Sequence, residues 1–322
     1  MKTCLIYGHN GLDLDVALNL RSFYRYLGFK VFFGDKLKDA DILVVVRAVD
    51  STIDITSYTF LQVHVFDYGG WDFDSFVRSI NQRITFIFCT SEEKSKRLTD
   101  LLNFSKSQVF IALPPVDTKI WAKKIKKIEY NLVHIGNNKP ISDGDSIKVK
   151  FNEMLGHFNT HVWGLGWKKL DKSIYHGKIG VFDVSGIYAK SKFAIGLMYP
   201  FQRDVTLSGR FWHAPLNGCS VFSEKGLYTT KIPGVIETDY TVDDLEKKTI
   251  INVDRFALQL EAIEFWNKKN ADTLSLITKI LTPLKYDRFN VKKFSIFFYG
   301  LISNTLKEYY QKLRLFKIII KK

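Results

Sequence analysis

Cysteine is scarce in this sequence. Among its 322 residues there are three cysteines, Cys4, Cys89 and Cys219, which are widely spaced and form no CxxC pair. They cannot all pair with one another within one chain, and no His/Cys cluster has the spacing of a zinc site. These absences exclude a disulfide-rich secreted scaffold and a zinc module. We expect buried or spare thiols in a reducing compartment.

Long apolar runs are also missing. No stretch approaches the roughly 20 apolar residues that a membrane-spanning helix needs, and the apolar segment 294–302 is short and preceded by two lysines. The apolar run Thr3–Tyr7 is too short for the hydrophobic region of a signal peptide, and polar residues follow it at once. We therefore expect a cytoplasmic chain that contacts a membrane only by lying on its surface.

Acidic residues are outnumbered by basic ones. The chain has 47 Lys and Arg against 33 Asp and Glu, a formal net charge of +14, which favours an anionic partner such as phosphate, nucleic acid or an acidic lipid surface. A hydrophobic content of 46% with 25% charged residues is typical of a globular chain rather than a disordered one. The length predicts two domains with a cleft.

The first part of the chain repeats a strand-and-helix pattern. The run Thr3–Tyr7 reads as a strand, and an amphipathic helix follows over 15–27 and ends at Gly28. Further apolar runs lie at 30–33, 42–46, 61–66, 84–89 and 108–113. Continuous apolar runs are typical of strands buried on both faces, so we predict a parallel sheet covered by helices. This domain spans 1–118, and a basic linker with a solvated face follows over 119–130.

The same pattern begins again at residue 131. Strands are predicted at 131–135, 160–163, 193–197, 220–222 and 234–237, with a first helix over 146–158 and closing helices over 255–267 and 271–282. We therefore predict a second α/β domain over 131–286. The remaining segment, 287–322, interleaves lysines with aromatic and aliphatic residues and predicts a basic amphipathic helical tail.

Four segments of the second domain carry a resemblance to a known family. In order they are HIGN at 134–137, VWGLGW at 162–167, IYAKSK at 187–192 and SGRFWHAPLNGC at 208–219. They resemble the group-1 and CgeB-like glycosyltransferases of the GT-B fold, over about residues 131–239. The resemblance implies an α/β architecture of two Rossmann-like doubly wound domains facing a cleft, with a nucleoside-diphosphate-sugar donor bound by the second.

The resemblance also implies which residues bind the donor. In the family, segment 208–219 is a helix whose N-terminal end faces the donor diphosphate, and free N–H groups with the helix dipole suit an anion there. Relatives place a ribose-binding glutamate where this chain has His213, and an imidazole lacks the two-oxygen geometry, so ribose contact and helix packing both stay open for His213. The expected donor residues are Gly136, Asn137, Gly164, Tyr188, Lys192, Arg203, Ser208, Gly209, Arg210 and His213.

Candidate catalytic bases lie in loops that follow strands of the first domain. His9 and Asp13 follow the first strand, and Asp67 lies beside two glycines after a later one. A polar loop without function is the alternative for each, and a retaining enzyme needs no base. The acidic pairs Asp13/Asp15, Asp72/Asp74 and Asp143/Asp145 imitate a metal-binding DxD motif, but the pattern is frequent by chance and GT-B enzymes usually lack it. We expect no metal or other cofactor.

The predicted function is therefore glycosyl transfer. The donor is a nucleoside-diphosphate-sugar, and the acceptor is a bacterial surface polysaccharide or another glycan or glycolipid. The tail suits an anionic membrane surface, at the inner face of the cell membrane, although it can instead pack on the first domain. One alternative is a GT-B scaffold that binds nucleotide-sugar without turnover. The other is a basic nucleic-acid-binding protein, but no recognisable nucleic-acid-binding motif is present, and we expect no nucleic-acid partner.

Overall fold

The protein is described by a computed structural model. It describes residues 3–7, 14–33, 40–45, 60–65, 86–102, 109–137, 154–158, 160–167, 170–197, 207–226 and 231–281. The described residues through Leu274 form one compact unit, and Ser275–Leu281 belong to a second. The predicted tail, 287–322, lies outside the described residues.

The first part of the chain forms a parallel sheet. Its order is β2-β1-β3-β4-β5-β6, and every described neighbour pair is parallel. Gly28 ends helix α1 in the left-handed conformation that glycine adopts without strain, at φ 85°. The elements are β1 (Thr3–Tyr7), α1 (Leu14–Tyr26), β2 (Lys30–Phe33), β3 (Ile42–Val45), β4 (Phe60–Val65), β5 (Phe86–Cys89), α2 (Glu92–Leu102) and β6 (Val109–Ile111).

The connector between the sheets contains helix α3, Thr118–Trp121. The Asp117 carboxylate caps this helix by accepting from two backbone N–H groups. From α1, Asn19 Oδ1 accepts from Trp121 Nε1 at 2.6 Å and from the Asp117 N–H at 2.9 Å. The connector is therefore anchored to the first sheet's helix layer before it runs on, without helix, over 122–129.

The second sheet is also parallel, with the order β11-β10-β9-β7-β8. Both sheets place their first strand beside their third, which is the doubly wound arrangement, so the predicted fold class is confirmed. The elements are β7 (Tyr130–Ile135), β8 (His161–Trp163), α4 (Val181–Tyr188), β9 (Ser191–Ile195), α5 (Arg210–His213), a 3-10 turn (Pro215–Asn217), β10 (Ser220–Ser223), β11 (Val235–Glu237), α6 (Val242–Thr249) and α7 (Arg255–Leu281). Residues 154–157 are also helical.

The prediction of two separate closing helices is wrong. A single 27-residue helix, α7, runs from Arg255 to Leu281. Residues 268–270 contain neither glycine nor proline, so nothing in the backbone ends the helix there. The Asn270 side chain instead binds both backbone groups of Val116, accepting from its N–H and donating to its carbonyl.

All three cysteines are buried and free. Burial raises the pKa of the Cys4 and Cys219 thiols above its ordinary value, which keeps both protonated. None of the helices in the described ranges is both long and apolar enough to cross a membrane.

Candidate functional site

The carboxyl edge of the second sheet has a switch point between β7 and β9. The chain leaves β7 toward β8 on one side of the sheet and leaves β9 toward β10 on the other. In open parallel sheets, ligands bind in the crevice outside the strand ends at this position. The backbone carbonyls of Ile135, at the end of β7, and Leu197, just after β9, lie on either side of it.

Arg210 lies at this switch point and is held there by both strand ends. Its Nε donates to the Ile135 carbonyl and its Nη1 to the Leu197 carbonyl, each at 2.8 Å. A guanidinium has five N–H donors, and the other three have no acceptor among the described residues. The half-buried cation is thus fixed in place with donors remaining for an anion.

Glycines allow the loops of β7 and β8 to approach the guanidinium closely. A Cβ on Gly136 would collide with Arg210 Nη2, and one on Gly164, at φ 135°, would collide with the Gly136 carbonyl. The Gly136 carbonyl accepts from Trp167 Nε1 at 2.7 Å, and Asn137 Oδ1 accepts from the Leu165 N–H at 2.8 Å. Gly136, Asn137 and Gly164 therefore shape the crevice, as three of the predicted donor residues.

His134 is a site residue to which the sequence analysis assigned no role. Its imidazole is buried next to Gly136, with Nδ1 3.3 Å from the Ile195 carbonyl. Burial and the charge of Arg210 lower the pKa of His134 well below 6.5, so the ring is neutral. The available signal was its position in β7 two residues before Gly136, because alternate residues share a face of a strand.

Helix α5 is shorter than the family resemblance implies. It has four residues, because Pro215 lacks the N–H that would continue it, and the chain passes into a 3-10 turn. One turn carries only a weak dipole, so an anion here depends mainly on Arg210. Within the described part of the chain, the N–H groups of Ser208 and Gly209 have no acceptor.

His213 joins the two halves of the chain rather than facing open solvent. It is buried, with Nε2 3.3 Å from Asp15 Oδ2 and Nδ1 3.3 Å from Ser185 Oγ. The Trp121 ring packs edge-on against the imidazole, with centroids 4.6 Å apart. Both ring nitrogens thus have partners, which favours packing over ribose contact. Asp15 lies in the first turn of α1 and also against Gly209, so it is a second site residue for which the sequence predicted no role.

Lys192 is not brought to the switch point, whereas the buried Tyr188 hydroxyl lies close enough to Arg210 for the charge of the guanidinium to act on it. Lys192 lies near the beginning of β9, at the opposite edge of the sheet, where its Nζ donates to the Thr249 carbonyl at 3.0 Å. The Tyr188 side chain is completely buried, its hydroxyl has no hydrogen-bond partner in the described structure, and burial raises its pKa. His9, Asp13, Asp67 and Arg203 lie outside the described residues.

A metal cluster is not found in the described ranges, where no three His, Cys, Asp or Glu side chains converge. Of the three acidic pairs that imitate DxD, only Asp15 is described. Its carboxylate is engaged by His213.

Neither protein-family models nor the curated proteins give a match to this chain. Solved structures do. AviGT4, a glycosyltransferase involved in avilamycin A biosynthesis, has a TM-score of 0.58 at 11% identity, over 87% of this chain and 98% of its own. A DNA-modifying β-glucosyltransferase, solved with and without its substrate uridine diphosphoglucose, has a TM-score of 0.57 at 12% identity, over 88% and 100%. A glycosyltransferase from Rickettsia africae has a TM-score of 0.57 at 11% identity, over 87% and 99%. The likeness shows that this chain has the GT-B fold, as predicted.

Proposed function

We propose that this chain is a glycosyltransferase. It transfers a sugar from a nucleoside-diphosphate-sugar to a surface polysaccharide or lipid-linked glycan, without a metal ion. The observation that carries the proposal is the Arg210 guanidinium, fixed by two strand-end carbonyls at the switch point of a GT-B sheet, with three N–H donors that no described residue accepts from.

The proposed chemistry at Arg210 is stabilisation of the leaving diphosphate. As the bond between the sugar and the diphosphate breaks, negative charge develops on the phosphate oxygens. A preorganised donor at such a position contributes most in the transition state, and removing one typically costs about 3–4 kcal/mol. Gly136 and Gly164 support this role because their missing side chains let the guanidinium pack against the end of β7 and let the two loops approach each other.

The residues that act on the acceptor hydroxyl are proposed from the sequence. In an inverting reaction, His9, Asp13 or Asp67 takes the proton from the acceptor hydroxyl as it attacks the sugar, and Arg203 adds a second cation for the diphosphate. In a retaining reaction no such base is needed. The basic tail, 287–322, holds the chain on the inner face of the cell membrane.

Uridine diphosphate is the first ligand to test, because one structural neighbour, the DNA-modifying β-glucosyltransferase, uses uridine diphosphoglucose. The test compares Arg210→Ala with Lys192→Ala. Both variants remove one cation from the second domain, but the structure places only Arg210 at the switch point. A ligand at about 100 times its dissociation constant stabilises a protein by about 2.7 kcal/mol.

We expect a panel of nucleoside diphosphates to raise the melting temperature of wild type and of Lys192→Ala. Arg210→Ala should lose most of that shift, and its rates of transfer and donor hydrolysis should fall by about 10²–10³. Equal rates in Arg210→Ala and wild type would contradict the assignment. A response to nucleic acid and to no nucleotide would instead support the nucleic-acid-binding alternative.

A nucleotide-sugar-binding scaffold without turnover is the second candidate. The observation in its favour is His213, whose two ring nitrogens are engaged by Asp15 and Ser185 where relatives have a ribose-binding glutamate. It predicts the same thermal shift as the enzyme but no release of free sugar or nucleotide, so the two candidates separate in the hydrolysis assay.

A further inference from the structure

The amino edge of the second sheet, where its strands begin, lies opposite the switch point and gathers three segments. The connector reaches β7 along this edge, with the Lys126 N–H donating to the Ala189 carbonyl and the Glu129 N–H to the Lys190 carbonyl. The end of α6 meets it through the bond from Lys192 to Thr249. The beginning of α7 joins them, because Arg255 donates to the carbonyls of Lys126 and Ala189.

These segments expose lysines and apolar side chains together. In the connector, Ile125 turns inward against Gly218 while the neighbouring lysines are exposed. Large apolar side chains are exposed beside them, with Ile250 at 81%, Phe256 at 52% and Ile128 at 45%. We call this surface the amino-edge patch; its members are Lys123, Lys124, Lys126, Lys127, Ile128, Lys247, Ile250, Ile251 and Phe256.

Several acidic groups next to the patch have hydrogen-bond or ion-pair partners. Glu129 pairs with Lys190 at 3.0 Å, and Glu246 with His157 at 2.9 Å. The Asp254 carboxylate accepts from two backbone N–H groups at the beginning of α7. The carboxylates that accept only from neutral N–H groups keep their charge, but the five lysines of the patch outnumber them, so the patch has a net positive charge around its apolar side chains.

We propose that the amino-edge patch docks on an anionic lipid bilayer. Lysines attract the headgroups, and the isoleucines and phenylalanine insert between them, which is the combination that interfacial membrane binding requires. A second copy of this chain fits less well, because a symmetric contact would oppose lysine to lysine. This inference rests on the membrane location in the proposed function and assigns the contact to residues other than those of the predicted tail.

The test is co-sedimentation of the full chain with vesicles of phosphatidylcholine containing about one third phosphatidylglycerol. One variant is Lys124→Glu with Lys127→Glu, and a second is Ile250→Ser with Phe256→Ser. The matched control, Lys96→Glu with Lys268→Glu, makes the same charge change at exposed lysines of α2 and α7 outside the patch. All substituted side chains are exposed, and each variant's nucleotide-induced thermal shift reports on its fold and donor site independently.

Wild type and control should bind the anionic vesicles. The patch-lysine variant should bind about thirtyfold more weakly, since each lysine contributes about 1 kcal/mol and about 1.4 kcal/mol is tenfold. The apolar variant should lose about tenfold or more. No binding by wild type, or equal binding by wild type and both patch variants, would overturn the proposal. A loss limited to the lysine variant would also overturn it, because binding would then rest on charge alone, without insertion of the apolar side chains.

Discussion

At the residue scale, the position of Arg210 explains why the His134 ring is neutral. The guanidinium occupies the space left by Gly136, next to a buried imidazole. A protonated ring would bury a second positive charge beside the first, which burial and repulsion both oppose. His134 therefore acts as a neutral polar support beneath the proposed anion site.

This arrangement predicts acid sensitivity. The pKa of His134 is near 6.5 in the unfolded chain and well below it in the folded chain, so the unfolded chain binds this proton first as the pH falls. The contribution of the neutral His134 ring to the free energy of unfolding is fully present above the pKa of His134 in the unfolded chain. It is lost as the pH falls toward the pKa in the folded chain, by up to about 1.4 kcal/mol per pH unit. Urea unfolding between about pH 7 and pH 5 should show a smaller pH dependence in His134→Asn than in wild type. Equal slopes would refute this reading of His134.

At the element scale, α7 is anchored by the buried side chain of its first residue. The Arg255 guanidinium donates to the carbonyls of Gly218, Lys126, Tyr188 and Ala189. These carbonyls come from the connector, the end of α4 and the turn before β10. One side chain thus fixes where three elements end or begin, and the Gly218 turn packs directly against it.

Two glycines that end helical segments should differ in their tolerance of alanine. Gly28, after α1, and Gly218, after the 3-10 turn, both have positive φ, at 85° and 68°. A Cβ on Gly28 meets nothing within 4 Å, whereas one on Gly218 would lie 2.6 Å from the Arg255 carbonyl oxygen.

Gly28→Ala should cost only the left-handed backbone penalty, about 1–2 kcal/mol. Gly218→Ala should cost at least about 2 kcal/mol more, because the backbone of α7 must move. The free energy of unfolding, measured by urea titration, compares them. Equal losses would mean that the contact between Gly218 and Arg255 relaxes freely.

At the scale of the whole molecule, side chains of α1 connect the first sheet to the rest of the compact unit. Asp15 contacts His213 in α5, and Asn19 accepts from Trp121 and Asp117 in the connector. Helix α1 of the first sheet is thus tied by short polar contacts to the connector and to α5 of the second part.

Asn19→Ala should lower the free energy of unfolding by about 2–4 kcal/mol, because it leaves two donors, one of them the buried Trp121 Nε1, without their acceptor. Asn267→Ala is the matched control. Its side chain accepts one longer bond, 3.2 Å from the partly buried Thr118 hydroxyl, and its loss should cost less than about 1 kcal/mol. Chemical denaturation measures both free energies of unfolding. A similar loss in both variants would show that the contacts of Asn19 with the connector do not stabilise the fold more than an ordinary hydrogen bond does.

Docking through the amino-edge patch has a consequence for the acceptor. The six residues of β7 separate the amino edge from the carboxyl edge by about 20 Å, at about 3.3 Å per residue. The Arg210 site would then stand that far from the docked edge. The proposed acceptor is therefore the free end of a glycan that extends from the bilayer, rather than its lipid headgroup.

Most of the strands could be predicted because their signals are local. The apolar run Lys30–Phe33 coincides with β2, and Gly28 follows the last helical residue of α1 by two positions, as its conformational freedom predicts. The family resemblance led to Arg210 and to the GT-B fold. Pro215 indicates that α5 is short, but the prediction of a helix over 208–219 followed the family motif instead.

The alternation of strands and helices, the continuous apolar runs that indicate parallel sheets and the loops that contain the glycines could be read from the sequence alone, since each of these signals lies in residues that are neighbours in the chain. Only the tertiary structure decided the partners of polar side chains. Lys192 and Arg210 are both cations in family motifs, but one lies at the amino edge and the other at the carboxyl edge of the same sheet. His213 meets Asp15 across 198 positions of sequence. Such contacts depend on how the elements pack in three dimensions, which no local pattern records.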